Sequence, residues 1–393
     1  MRILRLGGVN PTTSRFIDLV SRKEIEHVDF FINEGEERYF DDYAKSVKYF
    51  QEYSNINKIS IFKYRLNRSD MYAKKALKIL KAKKYYYLFY RGLKSLKKNK
   101  YDLIWLGDND FDGSNDLFMA TREIFDSSKI VRSYKETRFF KKYTEYEMLK
   151  YSDVLIFPNY GYIDFFKKLY NIRINNYKLA DLDWRYSKTI NWVKSQEVEK
   201  LSRKDSRPHC CILSGRALSD PSEERSGDRY YFIPIIKELI KRDIIVHLHA
   251  QKIIASPNRS IDAYHELSSK NSNFIIEEPL ELVAGSEDYK ILKRYDAGIL
   301  HAETEEKNFS LYEFQKINIP NRIYEYQMCG VLPIIFDGDA IETKKLIERS
   351  AFGIIYSSYN DLASKLYYAI SSSPKELDKI PSFRDFSNIL LQQ

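Results

Sequence analysis

Residues 319–335 read IPNRIYEYQMCGVLPII, and they decide the fold more than any other part of the 393-residue chain. Pro320 favours the start of a helix, Gly330 favours its end, and the apolar residues that follow predict a buried strand. Glu325 would lie inside this helix among apolar neighbours, where an ionised carboxylate needs hydrogen-bond donors. Two ligand hydroxyls would supply such donors, and a structural ion pair would serve as well.

Strand and helix patterns alternate on both sides of this segment. Short apolar runs, separated by apolar residues at helical spacing, are typical of a parallel doubly wound sheet. Eleven strands are predicted, at Met1–Leu6, Ile25–Ile32, Ile59–Phe62, Leu103–Leu106, Ile130–Ser133, Val154–Pro158, Cys210–Ser214, Ile244–His249, Phe274–Ile276, Ala297–His301 and Leu332–Phe336. The sequence therefore predicts an α/β protein.

The chain is long enough for two domains, because one hydrophobic core seldom organises 393 residues. Residues 188–208 are polar, with repeated Lys and Ser, and a new strand pattern follows them. We therefore expect two Rossmann-like domains, over residues 1–205 and 206–375, and a terminal segment, 376–393, that packs back on the first. No low-complexity linker separates the halves, so we expect the domains to face one another across a cleft.

Composition excludes several classes of protein. Of only three cysteines, Cys210 and Cys211 would point to opposite faces of a strand, so no disulfide framework is indicated. Arg5, Gly7 and Gly8 interrupt the apolar N-terminus before a signal-peptide core could form, and no stretch approaches about 18 uninterrupted apolar residues. We expect a cytoplasmic protein without a membrane-spanning helix.

The net charge of +9 is unevenly distributed, since residues 74–100 contain eleven basic residues and no acidic one. Leu77, Leu80 and Leu93 recur there at helical spacing, which gives an amphipathic pattern. Such a surface suits anionic lipid headgroups, and a solvated helix pair whose leucines face the core fits the same pattern. No motif for reading nucleic acid accompanies the charge, so no nucleic-acid partner is expected.

Residues 319–335 resemble the hallmark of family 4 glycosyltransferases and related GT-B enzymes, in which a Pro, a basic residue and a Glu precede a small residue, Gly and Pro. Residues 295–300 and 353–355 are similar to the strand before the donor site and to the last strand of that family. The resemblance implies a GT-B fold whose C-terminal domain binds a nucleotide-sugar and whose N-terminal domain binds the acceptor. It implies that Glu325 hydrogen-bonds the ribose of the donor, with no metal or other cofactor.

Two arginines, one at the end of a strand and one at the start of a helix, are expected to bind the diphosphate of the donor. Arg216 follows Gly215 at the end of a strand, and its guanidinium matches the geometry of phosphate. Arg322, next to Asn321, lies at the start of a helix whose dipole favours anions. A surface ion pair fits either arginine as well.

Two loops in the first half are further candidates. Gly7 and Gly8 resemble the glycine loop of the family, where backbone amides approach the donor pyrophosphate, although any tight turn would use two glycines. Asp108 and Asp110 follow a predicted strand, and either carboxylate could act as a general base toward an acceptor hydroxyl. An Asp-rich helix cap fits the same loop. Calcium binding is not expected, because Met119 occupies the place of the bidentate Glu.

Two positions depart from the family pattern. Retaining members usually place a Glu eight residues before the ribose Glu, where this chain has Ile317. Many also place a Lys five residues after the phosphate-binding Arg, where this chain has Pro221. The resemblance favours a retaining transferase, and the missing Glu leaves the stereochemical outcome open.

The sequence therefore favours a hexosyltransferase that moves a sugar from a nucleotide-sugar to a glycan or lipid-linked acceptor in the synthesis of a surface polysaccharide or another glycoconjugate. Residues 74–100 would form a peripheral contact with an anionic membrane. Two other hypotheses share the fold. One is a non-catalytic scaffold, for which Ile317 and Pro221 argue, and the other is a nucleotide-sugar epimerase or hydrolase, which would need the acidic residues of the loop 108–116.

Overall fold

The structure is a computed structural model of the whole chain, which divides into two compact units. The N-terminal unit comprises Met1–Tyr186 and Phe383–Gln393, and the C-terminal unit comprises Ser187–Ser382. The residues that the structure describes are 1–6, 22–33, 58–64, 86–106, 114–134, 145–180, 187–220, 228–255, 262–282, 286–301, 313, 315–338, 340–372 and 386–392.

The N-terminal unit contains a seven-stranded parallel sheet. Its strands, in the order β3-β2-β1-β4-β5-β6-β7, are β1 (Arg2–Leu6), β2 (His27–Asn33), β3 (Ile59–Tyr64), β4 (Leu103–Leu106), β5 (Lys129–Ser133), β6 (Val154–Phe157) and β7 (Tyr177–Leu179). The described helices of its main segment are α1 (Tyr86–Lys94), α2 (Ser114–Ile124), α3 (Tyr146–Tyr151) and α4 (Tyr160–Tyr170). Both faces of the sheet are buried, with Ile3 and Trp105 on one face and Leu4 and Ile104 on the other. Strands buried on both sides read as continuous apolar runs, which made them visible in the sequence.

The C-terminal unit contains a six-stranded parallel sheet in the order β12-β10-β8-β13-β14-β15, and a small pair, β9 with β11. The strands are β8 (His209–Ser214), β9 (Ala217–Leu218), β10 (Ile245–Ala250), β11 (Ile253–Ile254), β12 (Phe274–Glu277), β13 (Ala297–Ile299), β14 (Leu332–Phe336) and β15 (Ile354–Tyr356). The described helices are α5 (Ser187–Ser195), α6 (Ser202–Asp205), α7 (Ile233–Ile240), α8 (Ala263–Lys270), α9 (Asp288–Lys293), α10 (Arg322–Met328), α11 (Ile341–Ser350) and α12 (Tyr359–Ser371).

All eleven predicted strands are present, with ends that shift by at most two residues. The decisive segment forms α10 and β14, as predicted. Gly330 between them has φ 66°, a left-handed conformation that glycine adopts without strain. The sequence also has a helical pattern from about residue 13 to residue 20, and this stretch lies outside the described residues.

The division between the units falls at Ser187, before the boundary expected at residue 206. Residues 187–205 pack within the C-terminal unit, because Trp192 contacts Tyr289 edge to face with ring centres 6.0 Å apart. The backbone N–H of Leu201 also donates to the carbonyl of Arg294 at 2.9 Å. The polar composition of this stretch reflects its exposed side.

The chain returns to the N-terminal unit at its C-terminus, where α13 (Phe386–Leu391) follows. Leu390 is fully buried and belongs to the same core as Ile3 and Val28. Among the described residues, no helix is long and apolar enough to cross a membrane.

Candidate functional site

The sheet of the C-terminal unit has its topological switch point between β8 and β13. From β8 the chain builds outward through β10 and β12, and it then crosses to β13, β14 and β15 on the other side. Ligands of open α/β sheets bind beyond the carboxyl ends of the strands at such a point. The candidate site is therefore the crevice after Ser214 of β8 and Ile299 of β13.

Tyr326 of α10 bridges the two strands where their pairing ends. The described ladder pairs Ile212 with Ile299 as its last partners. The Tyr326 hydroxyl then accepts a hydrogen bond from the backbone N–H of Leu213 at 3.1 Å and lies 3.3 Å from the carbonyl of Ile299, to which it donates. Burial raises the pKa of Tyr326 well above its ordinary value, so this hydroxyl keeps its proton.

Gly298 on β13 leaves room for the Tyr326 ring to pack against the strand. A Cβ atom at position 298 would lie 2.5 Å from two carbon atoms of that ring, which is closer than real Cβ contacts. Helix α10 therefore packs against the sheet through a glycine on β13 and an aromatic ring. This close approach positions the start of α10 beside the end of β8.

Arg322 lies one helical turn before Tyr326, on the same face of α10. Its Nη1 donates to the carbonyl oxygen of Leu213, so Arg322 and Tyr326 together bind both backbone groups of that residue. Burial lowers the pKa of Arg322, and the positive charge of Arg229 lowers it further. Within the described part of the chain, no carboxylate pairs with Arg322. A bound anion would therefore offset the cost of burying the positive charge of Arg322.

Arg216 and Gly215 lie directly after β8, as the sequence predicts. The guanidinium of Arg216 lies over the ring of Tyr230, with 4.6 Å between Cζ and the ring centre. Gly215 is exposed, and a Cβ there would meet its nearest described neighbour, the Oε1 of Gln251, only at 3.9 Å. Packing does not demand a glycine at this position, whereas the small residue leaves the backbone amide accessible to a ligand.

Glu325 is 4% exposed and lies on α10 between Arg322 and the end of the helix. Burial of a carboxylate at this depth requires hydrogen-bond donors or cations nearby. Asn321 precedes the helix in a helical conformation, with φ −53° and ψ −34°, and its side chain does not cap it. Because α10 has only seven residues, the guanidinium of Arg322 outweighs the helix dipole as a feature that attracts anions.

Five of the predicted site residues thus lie in the C-terminal unit, near the carboxyl ends of its strands: Gly215, Arg216, Asn321, Arg322 and Glu325. The other four predicted site residues, Gly7, Gly8, Asp108 and Asp110, lie outside the described residues. Sequence reasoning missed Tyr326, although it stands next to Glu325. The signal for its role is Gly298, which precedes it by many residues and becomes informative only when β13 lies beneath α10.

His247 and His249 on β10 belong to a hydrogen-bonded network, not to a metal centre. Nδ1 of His247 lies 2.9 Å from a carboxylate oxygen of Glu277, and Nε2 of His249 lies 2.8 Å from the hydroxyl of Tyr295. Burial lowers the pKa of His247 to about 4, so this imidazole is neutral at physiological pH. No group of three or more His, Cys, Asp or Glu side chains within the described ranges is arranged to hold a metal ion.

Comparison with known proteins identifies the architecture. No protein-family model matches the sequence, and no curated protein does. Solved structures match along 100% of the chain: HepE of Anabaena in complex with UDP (12% identity, TM-score 0.56, 95% of that chain) and a glycosyltransferase from Rickettsia africae (12% identity, TM-score 0.55, 92% of that chain). The N-terminal domain of trehalose-6-phosphate phosphatase from Candida albicans is similar to the same extent (14% identity, TM-score 0.56, 92% of that chain). HepE in complex with UDP-glucose matches with a TM-score of 0.54 and 11% identity.

Two parallel α/β units and these similarities show that the chain has the GT-B fold. The predicted fold class is confirmed.

Proposed function

We propose that this protein is a glycosyltransferase that moves a sugar from a nucleoside-diphosphate sugar to the hydroxyl of a glycan or lipid-linked acceptor. The observation that carries the proposal is the switch point between β8 and β13, where Arg216 and Arg322 lie near the strand ends and the buried carboxylate of Glu325 follows on α10. Supporting evidence comes from HepE, which shares the fold and has been solved with UDP and with UDP-glucose.

Each residue of the site has a distinct part in the proposed reaction. Arg216 and Arg322 bind the diphosphate and stabilise the negative charge that develops on it as the bond to the sugar breaks. Glu325 accepts hydrogen bonds from the two ribose hydroxyls, and a buried carboxylate makes such charge-assisted bonds short and selective. Gly215 and Asn321 line the site beside the arginines. The leaving diphosphate is stabilised without a metal ion.

On the acceptor side, the proposal assigns Asp108 or Asp110 as the general base and Gly7-Gly8 as a backbone contact to the donor pyrophosphate. We further propose transfer of a hexose with retention of the anomeric configuration, in the synthesis of a surface polysaccharide or another glycoconjugate. The anomeric proton coupling of the product, measured by NMR at early times, tests retention directly. Inversion would remove the retaining mechanism and leave donor binding unaffected.

Peripheral membrane contact through the basic segment would be electrostatic. Leu93 and Leu96 are buried in the core, so the described leucines of this segment are not available for insertion into lipid. Arg91, Lys94 and Lys97 are exposed on the opposite side. Each basic side chain near an anionic surface contributes about 1 kcal/mol, and salt screens this attraction.

The experiment that tests the proposed function is a thermal-shift panel of UDP, GDP, ADP and their glucose conjugates. A ligand at about 100 times its Kd stabilises the folded protein by about 2.7 kcal/mol, which raises Tm by several degrees. Glu325→Gln keeps the shape of the side chain and removes its charge, and we expect it to weaken nucleotide binding roughly 10-fold or more. Glu266→Gln is the matched control, since Glu266 lies on the surface helix α8 and pairs with Lys270 at 2.7 Å.

The outcomes separate the hypotheses. A shift that depends on the nucleotide base, and that Glu325→Gln reduces and Glu266→Gln does not, supports the donor site. If no nucleotide shifts the Tm of the native protein, the proposal is wrong and the scaffold hypothesis gains. If the nucleotide-sugar is consumed without transfer to any acceptor, the epimerase or hydrolase hypothesis gains.

A further inference from the structure

Two arginines lie over one aromatic ring near the end of β8. The guanidinium of Arg216 lies over the Tyr230 ring at 4.6 Å, and that of Arg229 lies over the same ring at 5.1 Å, both measured from Cζ to the ring centre. Arg322, which is bonded to Leu213, is close enough to Arg229 for that positive charge to lower its pKa, in addition to the effect of burial.

Tyr230, whose ring carries two of these cations, is held through its backbone and packs against the core. It ends a single turn of 3-10 helix, Asp228–Tyr230, and is partly buried against the core of the C-terminal unit. The hydroxyl of Tyr264, a fully buried residue, donates to the backbone carbonyl of Tyr230 at 3.3 Å and accepts from the backbone N–H of Phe232 at 3.0 Å. These contacts fix the backbone from which the Tyr230 ring projects.

A phosphate close to these guanidinium groups is attracted by the positive charge of each of them. A guanidinium presents a planar fork of donors that matches phosphate oxygens, and stacking on an aromatic ring fixes its plane without using those donors. The cluster is half-buried, so a ligand in the crevice can reach it. Its position at the end of β8 is the position of the diphosphate in the proposed donor site.

We propose that Arg229, stacked on Tyr230, is a third side-chain cation that binds the diphosphate, together with Arg216 and Arg322. This inference rests on the proposed function. The family pattern that the sequence resembles places a further cation at position 221, which is a proline in this chain. Arg229 lies beyond residues 221–227 and reaches the ring over which Arg216 lies. Arg229 thus supplies the positive charge that is absent at position 221.

Arg229 and Tyr230 have different roles. Arg229 contacts the ligand, whereas Tyr230 is a positioning residue that holds the planes of Arg216 and Arg229. Removal of the Arg229 charge weakens the binding of a nucleoside diphosphate more than that of the corresponding monophosphate, because the second phosphate supplies the extra negative charge. A merely structural role would not change this selectivity.

The test is calorimetric titration of the native full-length protein and its variants with UDP, UMP and inorganic pyrophosphate, using GDP and GMP instead if guanine nucleotides give the larger thermal shift. Arg229→Met is expected to weaken UDP roughly 10- to 100-fold and UMP several-fold less, since a lost hydrogen bond to a charged group has this magnitude. Arg229→Lys keeps the charge without the planar fork, so an intermediate loss is expected. Tyr230→Leu is expected to lower the preference for UDP in the same direction.

The matched control is Arg242→Met in the same unit, because Arg242 is paired with Glu238 at 2.7 Å at the end of α7. If native protein binds UDP and Arg229→Met behaves like Arg242→Met, the inference is wrong and the proposed function stands. If Arg229→Met weakens UDP and UMP equally while lowering Tm, Arg229 acts through the fold and the inference is wrong as well. If native protein binds none of UDP, GDP and ADP, the proposed function itself fails.

Discussion

The two units share one strand topology and differ in the chemistry at their switch points. In the C-terminal unit, β8 and β13 end beside half-buried arginines, and the hydroxyl of Tyr326 bridges Leu213 of β8 and Ile299 of β13. In the N-terminal unit, the switch point lies between β1 and β4. There Arg5 is fully buried, with its Cζ 4.3 Å from the centre of the Trp105 ring.

An arginine at the switch point of this architecture can therefore be either buried in the fold or accessible to a ligand. Arg5 is enclosed by the fold, where its guanidinium lies against the Trp105 ring and donates to the carbonyl of its neighbour Leu6. Arg216 and Arg322 lie where a ligand can reach them. Charge at a strand end indicates a binding site only when the fold leaves the charge accessible.

The largest effect is expected from Trp105→Ala in the N-terminal unit. Trp105 is fully buried, and its Nε1 donates to Ser133 Oγ at 2.7 Å. The substitution should lower the free energy of unfolding by about 3 to 5 kcal/mol, through the cavity and the loss of the ring beneath Arg5. Urea unfolding measures this loss. A free energy of unfolding close to that of the native protein would contradict the role of Trp105 in the core of the N-terminal unit.

A slightly smaller effect is expected from pH in the C-terminal unit. Lys200 donates to the carbonyls of Tyr295 and Gly330, and burial lowers its pKa from 10.5 to about 8. The unfolded chain therefore binds more protons than the folded protein between these values, so this group makes stability rise with pH through that window, by about 3 kcal/mol in total. The cost of burying the charge is fully present below pH 8.

The measurement is the difference in unfolding free energy between native protein and Lys200→Met at several pH values from 7 to 10.5. A difference curve is needed because burial raises the pKa of Cys210, Cys211 and Cys329, and these thiols contribute the opposite slope above about pH 9. A flat difference curve would contradict the assignment to Lys200.

Gly298→Ala should come next, with a loss of about 1 to 3 kcal/mol, because the new Cβ would clash with the Tyr326 ring at 2.5 Å. Displacement of the ring should also weaken nucleotide binding. Gly215→Ala is the control for stability alone, since its Cβ would meet Gln251 Oε1 only at 3.9 Å, and its free energy of unfolding should change by less than about 1 kcal/mol. Equal losses of stability in the two variants would show that the Tyr326 ring does not depend on a glycine at position 298.

The smallest effect is expected from Tyr326→Phe. The ring stays and the hydroxyl is lost, so the N–H of Leu213 loses the partner that lay at 3.1 Å, at a cost of about 1 to 2 kcal/mol. Tyr368→Phe is the control, because that tyrosine is 74% exposed. Thermal unfolding in the presence and absence of UDP measures both variants. No loss of stability in Tyr326→Phe relative to the control would remove the bridge from the description of the site.

The sequence was informative where the determinants are local. Apolar runs predicted β4 and β14 to the residue, because strands buried on both faces need no long-range information to be recognised. Arg322 and Glu325 could be proposed because Pro320 and Gly330 bound a helix around them.

The rest depends on contacts between distant residues. The pairing of Tyr326 with Gly298 and the stacking of Arg216 and Arg229 on Tyr230 arise only when the chain has folded. The packing of Trp192 on Tyr289 places residues 187–205 in the C-terminal unit. The sequence of this segment alone does not predict that contact. Sequence reasoning therefore proposed residues for the candidate donor site, and it missed the residues that pack against them.

The return of the chain through α13 has a topological consequence. Residues 1–186 and 383–393 belong to the N-terminal unit, so residues 187–382 form a continuous insert within it. Loss of residues 384–393 would remove Leu390 from the core around Ile3, although the whole C-terminal unit separates these two residues in the sequence. The ribosome must therefore have passed residue 390 before the first sheet to be synthesised can complete its core.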